Sequence, residues 1–253
     1  MGRTFESCRG HFNFGFAIVV FQNHEKFQTF LSLLNKIKNL IPTSPLAEMS
    51  IVLLCALAVE WAILPFTKNP FIFALPILIA VAVIYFSQRR KNESLREIGY
   101  RFDNFLECFR LLALPMLAFF IALTILGWTL GSLRFNDLFG SAFFRKYIWL
   151  FVWGLIQQHA LQAFFNRRAQ EIYGKGYLSV FVAAMIFALL HLPNFWLTIA
   201  TFCGGLMWAF VYQRVPNLFA LAISHAVMSG VLVLTMPTAA LHGMRVGYNY
   251  FRL

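Results

Sequence analysis

The chain has 253 residues, of which 60% are hydrophobic and only 12% are charged. Because soluble globular domains carry about 25% charged residues, this composition excludes a soluble domain and predicts an integral membrane protein that crosses the bilayer several times. The formal net charge is +11, but the basic residues cluster between apolar stretches without interleaved aromatic residues, which favours contact with a membrane surface over nucleic acid.

Residues 1–46 precede the first spanning stretch, and we interpret them as a cytoplasmic or interfacial segment. Their short apolar run, residues 15–21, has no small-residue cleavage site after it, so we expect no signal peptide. Apolar residues recur at helical spacing over residues 27–41, which predicts an interfacial helix that lies on the membrane and ends near Pro42. Whether this segment belongs to the natural product stays open, because Met49 would also start the first span.

Seven apolar stretches follow, and the fifth is at the short end of the roughly 17 to 25 residues that a membrane-spanning helix needs. They cover residues 47–66, 70–86, 109–133, 147–165, 177–192, 194–212 and 217–236. The predicted fold class is therefore all-α, a polytopic helical membrane bundle formed by residues 47–253, with about seven transmembrane helices and additional amphipathic interfacial helices.

The basic residues favour a cytoplasmic N-terminus. With that orientation, 15 of the 21 lysines and arginines lie on inner segments and 6 on outer ones, as the positive-inside rule requires. The inner loop after the second span carries apolar residues at helical spacing from Leu95 to Phe109, opposite a charged face. This pattern predicts a second interfacial helix.

Cysteines and glycines in the spans have simple structural interpretations. The four cysteines have no spacing typical of metal ligands or of a disulfide framework, so we expect free thiols. They are Cys8, Cys55, Cys108 and Cys203. Gly204 and Gly205 on the sixth span predict a close contact between helices.

Amide side chains interrupt the centre of the fourth span. Gln158, Gln162 and Asn166 recur at i, i+4 and i+8, which places them on one polar stripe of an α-helix, with Gln157 beside it. At membrane depth such groups usually face the bundle interior, where neighbouring helices satisfy them or a cavity uses them. His159 points away from the stripe, and we interpret it as structural.

Two later spans carry histidines. His191 follows Phe187 by one turn and precedes Asn194, whereas His225 lies inside the seventh span with Ser229 one turn further. Counting about 1.5 Å per residue from the inner ends places His225 roughly 12 Å deep and His191 roughly 20 Å deep, with the glutamines at roughly 10 to 12 Å. In a hydrocarbon core about 30 Å thick, all of them approach the midplane, so a shared site is geometrically possible. We expect His242 and the tail beyond Pro237 to face solvent.

The order and spacing of these residues resemble the CPBP family, which includes the CAAX prenyl endopeptidases and the bacterial abortive-infection-like proteins. That family has EExxxR on one helix, FxxxH on the next and HxxxN, or a similar polar pair, on a later one. FxxxH is present as Phe187 and His191, and Ser229 replaces the asparagine that follows His225. The first motif reads QQxxxQ. The resemblance covers about residues 147–236.

The resemblance implies an endopeptidase of the bacterial inner membrane that acts on a membrane-associated or lipidated protein, without a cofactor or metal. It implies Gln157, Gln158, His191 and His225 as catalytic residues, with Gln162, Phe187, Asn194 and Ser229 in support. Glu60 is a further supporting candidate, not from the resemblance but because it is an acid deep inside an apolar span. In the family, the first motif's glutamate is read as the general base that activates a water, and the histidines and asparagine stabilise the oxyanion. An amide does not accept that proton at neutral pH, so the mechanism does not transfer at its central residue. Losing both glutamates and the arginine together nevertheless keeps the site neutral.

Two replacements for the missing base are open. One is His191 or His225, the only strong proton acceptors placed near the midplane. The other is Glu60, which lies roughly 19 Å into the first span and is a functional candidate because it is an intramembrane carboxylate. We therefore expect Glu60 to approach the histidines.

Alternatives to an active peptidase also stay open. A catalytically silent relative would bind a membrane peptide in the same cavity as an immunity or maturation factor, and its glutamines would only join helices through hydrogen bonds. A small-solute transporter would place polar groups at the midplane, but transporters often have repeated halves that this chain lacks. Two histidines could ligate zinc, but no third ligand lies on the same face, so we predict no metal.

Overall fold

The computed structural model describes residues 43–67, 69–134 and 141–252 together with Ser32, and for residues 141–147 it describes the backbone alone. Thr43–Leu253 forms one compact unit, and all regular structure in its described part is helical. Apart from Ser32, the interfacial helix predicted for residues 27–41 lies outside the described residues and stays a prediction.

The helices are numbered in chain order. Helix α1, Pro45–Leu57, continues as the π-helical segment Ala58–Ile63, and α2 and α3 are Pro70–Arg90 and Phe105–Thr129. Helix α4, Ser141–Gln158, continues through the π-helical segment His159–Asn166 into α5, Arg167–Tyr173. The remaining α-helices are α6 Tyr177–Leu189, α7 Phe195–Tyr212, α8 Leu218–Thr235 and α9 Thr238–Leu241. Two 3₁₀ turns, His242–Met244 and Gly247–Phe251, follow.

Asparagine caps define where three of these helices begin. The Asn69, Asn194 and Asn217 side chains each accept a hydrogen bond from a backbone N–H in the first turn of α2, α7 and α8. Such caps satisfy donors that have no partner within the helix. The short connections before α7 and α8 are therefore set by local sequence.

Among the described residues, five helices are long and apolar enough to cross a membrane, and they confirm five of the predicted spans. They are Pro45–Ile63, Pro70–Arg90, Phe105–Thr129, Phe195–Tyr212 and Leu218–Thr235. The fourth predicted span lies within the helical stretch formed by α4, its π-helical segment and α5. The fifth is a helix of only 13 residues, α6, because the chain turns before His191. The protein is therefore an all-α integral membrane protein.

Glycines allow two close contacts between helices. A Cβ added to Gly205 would lie 3.0 Å from the Ala184 Cα, and one on Gly154 would lie 3.3 Å from the Ala222 carbonyl oxygen. The predicted contact at Gly205 is thus confirmed between α7 and α6. Gly204 has a different role, because its missing Cβ leaves space for the Trp208 ring on the same helix.

The prediction of an interfacial helix over residues 95–109 is wrong for the residues that precede α3. The chain there forms turns. Gly99 has φ +104°, and its carbonyl accepts a hydrogen bond from the Leu218 N–H at 2.8 Å. The carbonyl of buried Ile98 accepts from the Tyr212 hydroxyl at 3.0 Å. The loop therefore packs onto the ends of α7 and α8, because tertiary hydrogen bonds replace those of a regular helix.

A buried cluster of charges joins α1, α2 and α5. Arg168 is completely buried; it donates to Glu93 at 2.8 Å and lies 3.2 Å from Glu48. Glu48 is also completely buried and accepts hydrogen bonds from Ser87 and Arg90, both at 2.5 Å. The sequence did not point to this cluster, since its members lie at the ends of apolar stretches where solvated loops are expected.

We predict that Glu48→Ala lowers the free energy of unfolding in detergent by roughly 3 to 5 kcal/mol, because it leaves two buried or partly buried arginines with one partner fewer. The control is Asp103→Ala, which removes an exposed carboxylate that pairs with Arg96 and Arg101. Solvent-exposed ion pairs contribute little, so the control should unfold like the wild type. Equal losses in both variants would contradict the prediction.

Candidate functional site

A cavity of about 560 Å³ lies among α3, α4, α6, α7 and α8 and the π-helical segment of α1. Most of its lining is aliphatic or aromatic. The polar side chains in its wall include Glu60, Gln157, His191, Thr201, His225 and Ser229. A mostly apolar cavity with a few polar groups is typical of a binding or active site.

Six of the nine side chains predicted for the site line this cavity. They are Glu60, Gln157, Phe187, His191, His225 and Ser229. Gln158, Gln162 and Asn194 do not line it. The structure thus brings both histidines, one glutamine of the first motif and the carboxylate of α1 into one cavity.

His225 is held from two sides. The Gln158 Nε2 donates to the His225 Nδ1 at 3.3 Å, and the Trp208 ring stacks on the imidazole with 4.6 Å between centroids and 13° between planes. With the amide nitrogen facing the ring, Nδ1 is the acceptor, and we infer that the ring proton is on Nε2. This tautomer gives His225 a hydrogen-bond donor on Nε2.

His191 has the opposite tautomer. Its Nδ1 lies 2.6 Å from the Phe187 carbonyl oxygen. A carbonyl only accepts, so Nδ1 carries the proton and Nε2 keeps a lone pair. The Phe187 ring contacts both imidazoles edge-on, at 4.7 Å from His191 and 5.8 Å from His225. Phe187 thus orients one histidine with its backbone and packs against both with its ring.

Trp208 is a site residue that motif spacing did not indicate. Its Nε1 donates to the Ser224 hydroxyl at 2.9 Å, which fixes the ring against His225. A Cβ on Gly204 would lie 2.8 Å from this ring. The tryptophan beside a Gly-Gly pair on α7 was the available signal, but nothing in the sequence relates it to a histidine on α8.

The amide stripe predicted for the fourth span divides into two parts. Gln158 contacts His225, whereas the Asn166 Nδ2 donates to the Gln162 Oε1 at 2.8 Å and to the Ala209 carbonyl at 3.2 Å. All three amide side chains are completely buried. The helix is π-helical from His159 to Asn166, so the spacing of 3.6 residues per turn does not hold there. Asn166 therefore joins this segment to α7, whereas Gln162 contacts Asn166 on the same segment, outside the cavity lining.

Glu60 lies in the π-helical segment Ala58–Ile63. It lines the same cavity as both histidines. Its Oε2 is buried without a hydrogen-bond partner among the described residues. Since a buried polar atom without a partner is costly, such an atom calls for an explanation such as a catalytic role or a bound polar group.

The prediction of a solvent-facing tail beyond Pro237 is wrong for part of the tail. His242 is exposed, but Leu241 is buried, and Met244 and Val246 line the cavity. The cause is Asn194, whose Nδ2 donates to backbone carbonyls of the tail. Asn194 therefore binds the tail and caps α7 instead of lining the cavity.

The remaining predictions concern the cysteines, His159 and metal binding. Cys55, Cys108 and Cys203 are free thiols, and Cys8 lies outside the described residues. The His159 Nδ1 lies 3.3 Å from the Tyr100 hydroxyl. The described residues bring together no group of three or more His, Cys, Asp or Glu side chains that would hold a metal ion.

The two tautomers are directly testable by ¹⁵N NMR of histidine-labelled protein in detergent. We expect a protonated Nδ1 for His191 and a protonated Nε2 for His225. Gln158→Leu removes the donor to the His225 Nδ1 and should produce a second population with Nδ1 protonated, while His191 stays unchanged. A wild-type spectrum in which both rings have the same tautomer would contradict this assignment.

Comparison with known families supports the resemblance based on the motifs. Residues 138–231 match the family model described as Type II CAAX prenyl endopeptidase Rce1-like. This range includes both histidines and the three glutamines but not Glu60. Comparisons with curated proteins and with solved structures give no match. The chain is therefore a CAAX-protease-like integral membrane protein, similar to that endopeptidase family over residues 138–231.

Proposed function

We propose that the protein is a membrane endopeptidase that hydrolyses a peptide bond of a membrane-associated or lipidated protein, with Glu60 as its general base. The observation that carries this proposal is the position of Glu60 in the wall of the cavity that both histidines line, with one carboxylate oxygen lacking a partner among the described residues. Because Gln157 and Gln158 replace the family's glutamates, another group must accept the proton of the attacking water.

The histidine tautomers assign complementary roles. A water between the Glu60 carboxylate and the His191 Nε2 donates one hydrogen to each, since both are acceptors. Glu60 takes its proton as the water oxygen bonds to the carbonyl carbon. The His225 Nε2–H donates to the carbonyl oxygen as it becomes negative, which stabilises the tetrahedral intermediate. Glu60 then returns the proton to the leaving nitrogen as the C–N bond breaks.

Glutamine at position 158 fits this division of roles. An ionised carboxylate there would only accept a hydrogen bond, so it would hold the His225 proton on Nδ1 and leave Nε2 without one. The Gln158 amide donates to Nδ1 and leaves the donor on Nε2. The amide thus supports His225 as an oxyanion donor in a site whose base comes from another helix.

The apolar wall of the cavity supports a membrane-bound substrate. Phe119, Trp153, Met207, Met228 and Leu232 line it. Removal of apolar surface from water contributes about 25 cal/mol per Å². A lipid chain or a hydrophobic peptide segment therefore suits this surface better than a soluble peptide does.

A second candidate is a catalytically silent relative that binds a membrane peptide in the same cavity. The observation that favours it is the pair of amides, Gln157 and Gln158, where the family has carboxylates. This function requires retention of peptide without cleavage.

The first test is cleavage of a pool of lipidated and transmembrane peptides by the purified protein, with and without a chelator. Glu60→Gln should lower kcat by about 10²- to 10⁴-fold, as expected for loss of a general base, and His191→Ala and His225→Ala should also abolish most activity. Glu107→Gln is the matched control, because it neutralises an exposed acid on α3 away from the cavity. Full activity in Glu60→Gln would exclude Glu60 as the base. Retention without cleavage by the wild type would favour the silent relative.

A rescue experiment tests whether a carboxylate at position 157 replaces Glu60 as the general base. Adding Gln157→Glu to the Glu60→Gln variant restores a carboxylate at the first position of the family motif, in the same cavity. We expect kcat to recover by at least about tenfold relative to Glu60→Gln alone, given the size of general-base effects. An equally inactive double variant that remains folded would argue against exchange of the base between the two positions.

A further inference from the structure

The C-terminal residues 238–251, which we call the strap, form part of the cavity wall. Met244 and Val246 line the cavity beside Glu60. Leu241 and Gly247 are buried. The strap therefore completes the site that the family-matched segment, residues 138–231, leaves open.

One side of the strap is bound to the turn that carries His191. The Asn194 Nδ2 donates to the carbonyls of Leu241 at 2.7 Å and Arg245 at 3.2 Å. The Gly247 N–H donates to the Leu192 carbonyl at 2.8 Å. Both partners lie within three residues of His191, so the position of the strap and that of His191 depend on each other.

The other side of the strap contacts the segment that carries Glu60. A Cβ added to Gly247 would lie 2.7 Å from the Glu60 Cβ and 2.8 Å from the Glu60 carbonyl oxygen. The Trp61 and Phe251 rings lie 6.5 Å apart next to this contact. Only glycine permits this approach, and the φ of +56° at Gly247 favours glycine as well.

The strap also contains an unusual backbone turn between its two hydrogen bonds to Asn194. His242, Gly243 and Met244 have φ values of +46°, +64° and +60°. Residues with side chains rarely adopt this region, and when they do the surrounding structure enforces it, often at functional sites. The Asn194 amide does so here by binding the carbonyls on either side of the turn.

We propose that the strap is a positioning element of the active site, which fixes the position of Glu60 relative to His191 through Gly247 and Asn194. Glu60 is on the π-helical segment that continues α1, and His191 follows α6. The strap contacts the backbone of both segments. The required alignment is that of one water between the Glu60 carboxylate and the His191 Nε2. This inference rests on the roles of Glu60 and His191 in the proposed function.

Gly247→Ala tests the contact, and Gly131→Ala is its control outside the strap. Both glycines have positive φ, but Gly131 follows α3 away from the cavity lining, and a Cβ on it meets nothing within 4 Å. We expect Gly247→Ala to lower kcat at least tenfold with KM within twofold, because displacement of Glu60 disturbs the reacting water more than substrate binding. Gly131→Ala should keep both constants within twofold.

A second readout does not depend on activity. Dicyclohexylcarbodiimide modifies carboxyl groups within membranes, and mass spectrometry measures its addition to Glu60, with Glu60→Gln as the blank. Displacement of the strap in Gly247→Ala should raise this labelling at least threefold over wild type and over Gly131→Ala.

Asn194→Ser provides an independent variant, because serine retains an N-cap acceptor and loses the amide donor to the strap. It should change kcat and labelling in the same direction as Gly247→Ala. Unchanged kcat and labelling in both folded variants would overturn the proposal, and so would a rise in kcat, which would make the strap a lid that blocks the site. If the wild type cleaves nothing, the proposed peptidase function is rejected, and the labelling of Glu60 alone decides whether the strap positions Glu60.

Discussion

Each buried polar side chain in this protein needs a hydrogen-bond partner inside the protein, because neither an apolar interior nor hydrocarbon supplies one. Arg168 meets this requirement with the carboxylates of Glu48, Glu93 and Glu171. Asn166 meets it through Gln162 and the α7 backbone. The packing of α1, α2, α5 and α7 follows from these contacts, since moving any of these helices would leave a buried polar group without its partner.

Two exceptions to this rule lie in or beside the candidate site. Among the described residues, the Glu60 Oε2 and the Gln158 Oε1 are buried without a partner. Glu60 is in the cavity wall, and Gln158 contacts His225 with its other amide atom. The Gln162 Nε2 and the hydroxyls of Thr124 and Thr198 also lack a partner, but these residues are outside the cavity lining. Of these atoms, the Glu60 Oε2 belongs to a residue of the cavity wall that a substrate or water would contact, and the Gln158 Oε1 belongs to the residue that holds His225.

The replacement of glutamates by glutamines is physically consistent with a carboxylate on α1. Two carboxylates that share an apolar cavity raise each other's proton affinity, so they cannot both stay ionised. With amides at positions 157 and 158, Glu60 is the one carboxylate among the described residues of the lining, and the inferred tautomer of His225 has its donor on Nε2. In the proposed assignment, the general base is on the π-helical segment that continues α1, whereas the family has it at the motif positions on α4. The two histidines occupy the same motif positions as in the family.

Much of the architecture follows from local sequence. Apolar length identifies α1, α2, α3, α7 and α8, and the asparagines that precede α2, α7 and α8 mark where these helices begin. The same approach failed for residues 95–104, because Gly99 and the tertiary hydrogen bonds to α7 and α8 outweigh an amphipathic pattern. It also failed for the tail, because hydrophobicity alone does not reveal that an asparagine next to His191 binds two carbonyls near the C-terminus.

The sequence by itself determined the class of the protein, most of its membrane-spanning helices and the side chains that resemble a protease family, because composition and spacing are local properties. Only the tertiary structure decided that Glu60 shares a cavity with His191 and His225, that Trp208 stacks on His225 and that the strap contacts both Glu60 and the His191 turn. These relations join residues far apart in the chain. They depend on helix packing and on atoms that approach within about 3 Å, which spacing along a single helix does not encode.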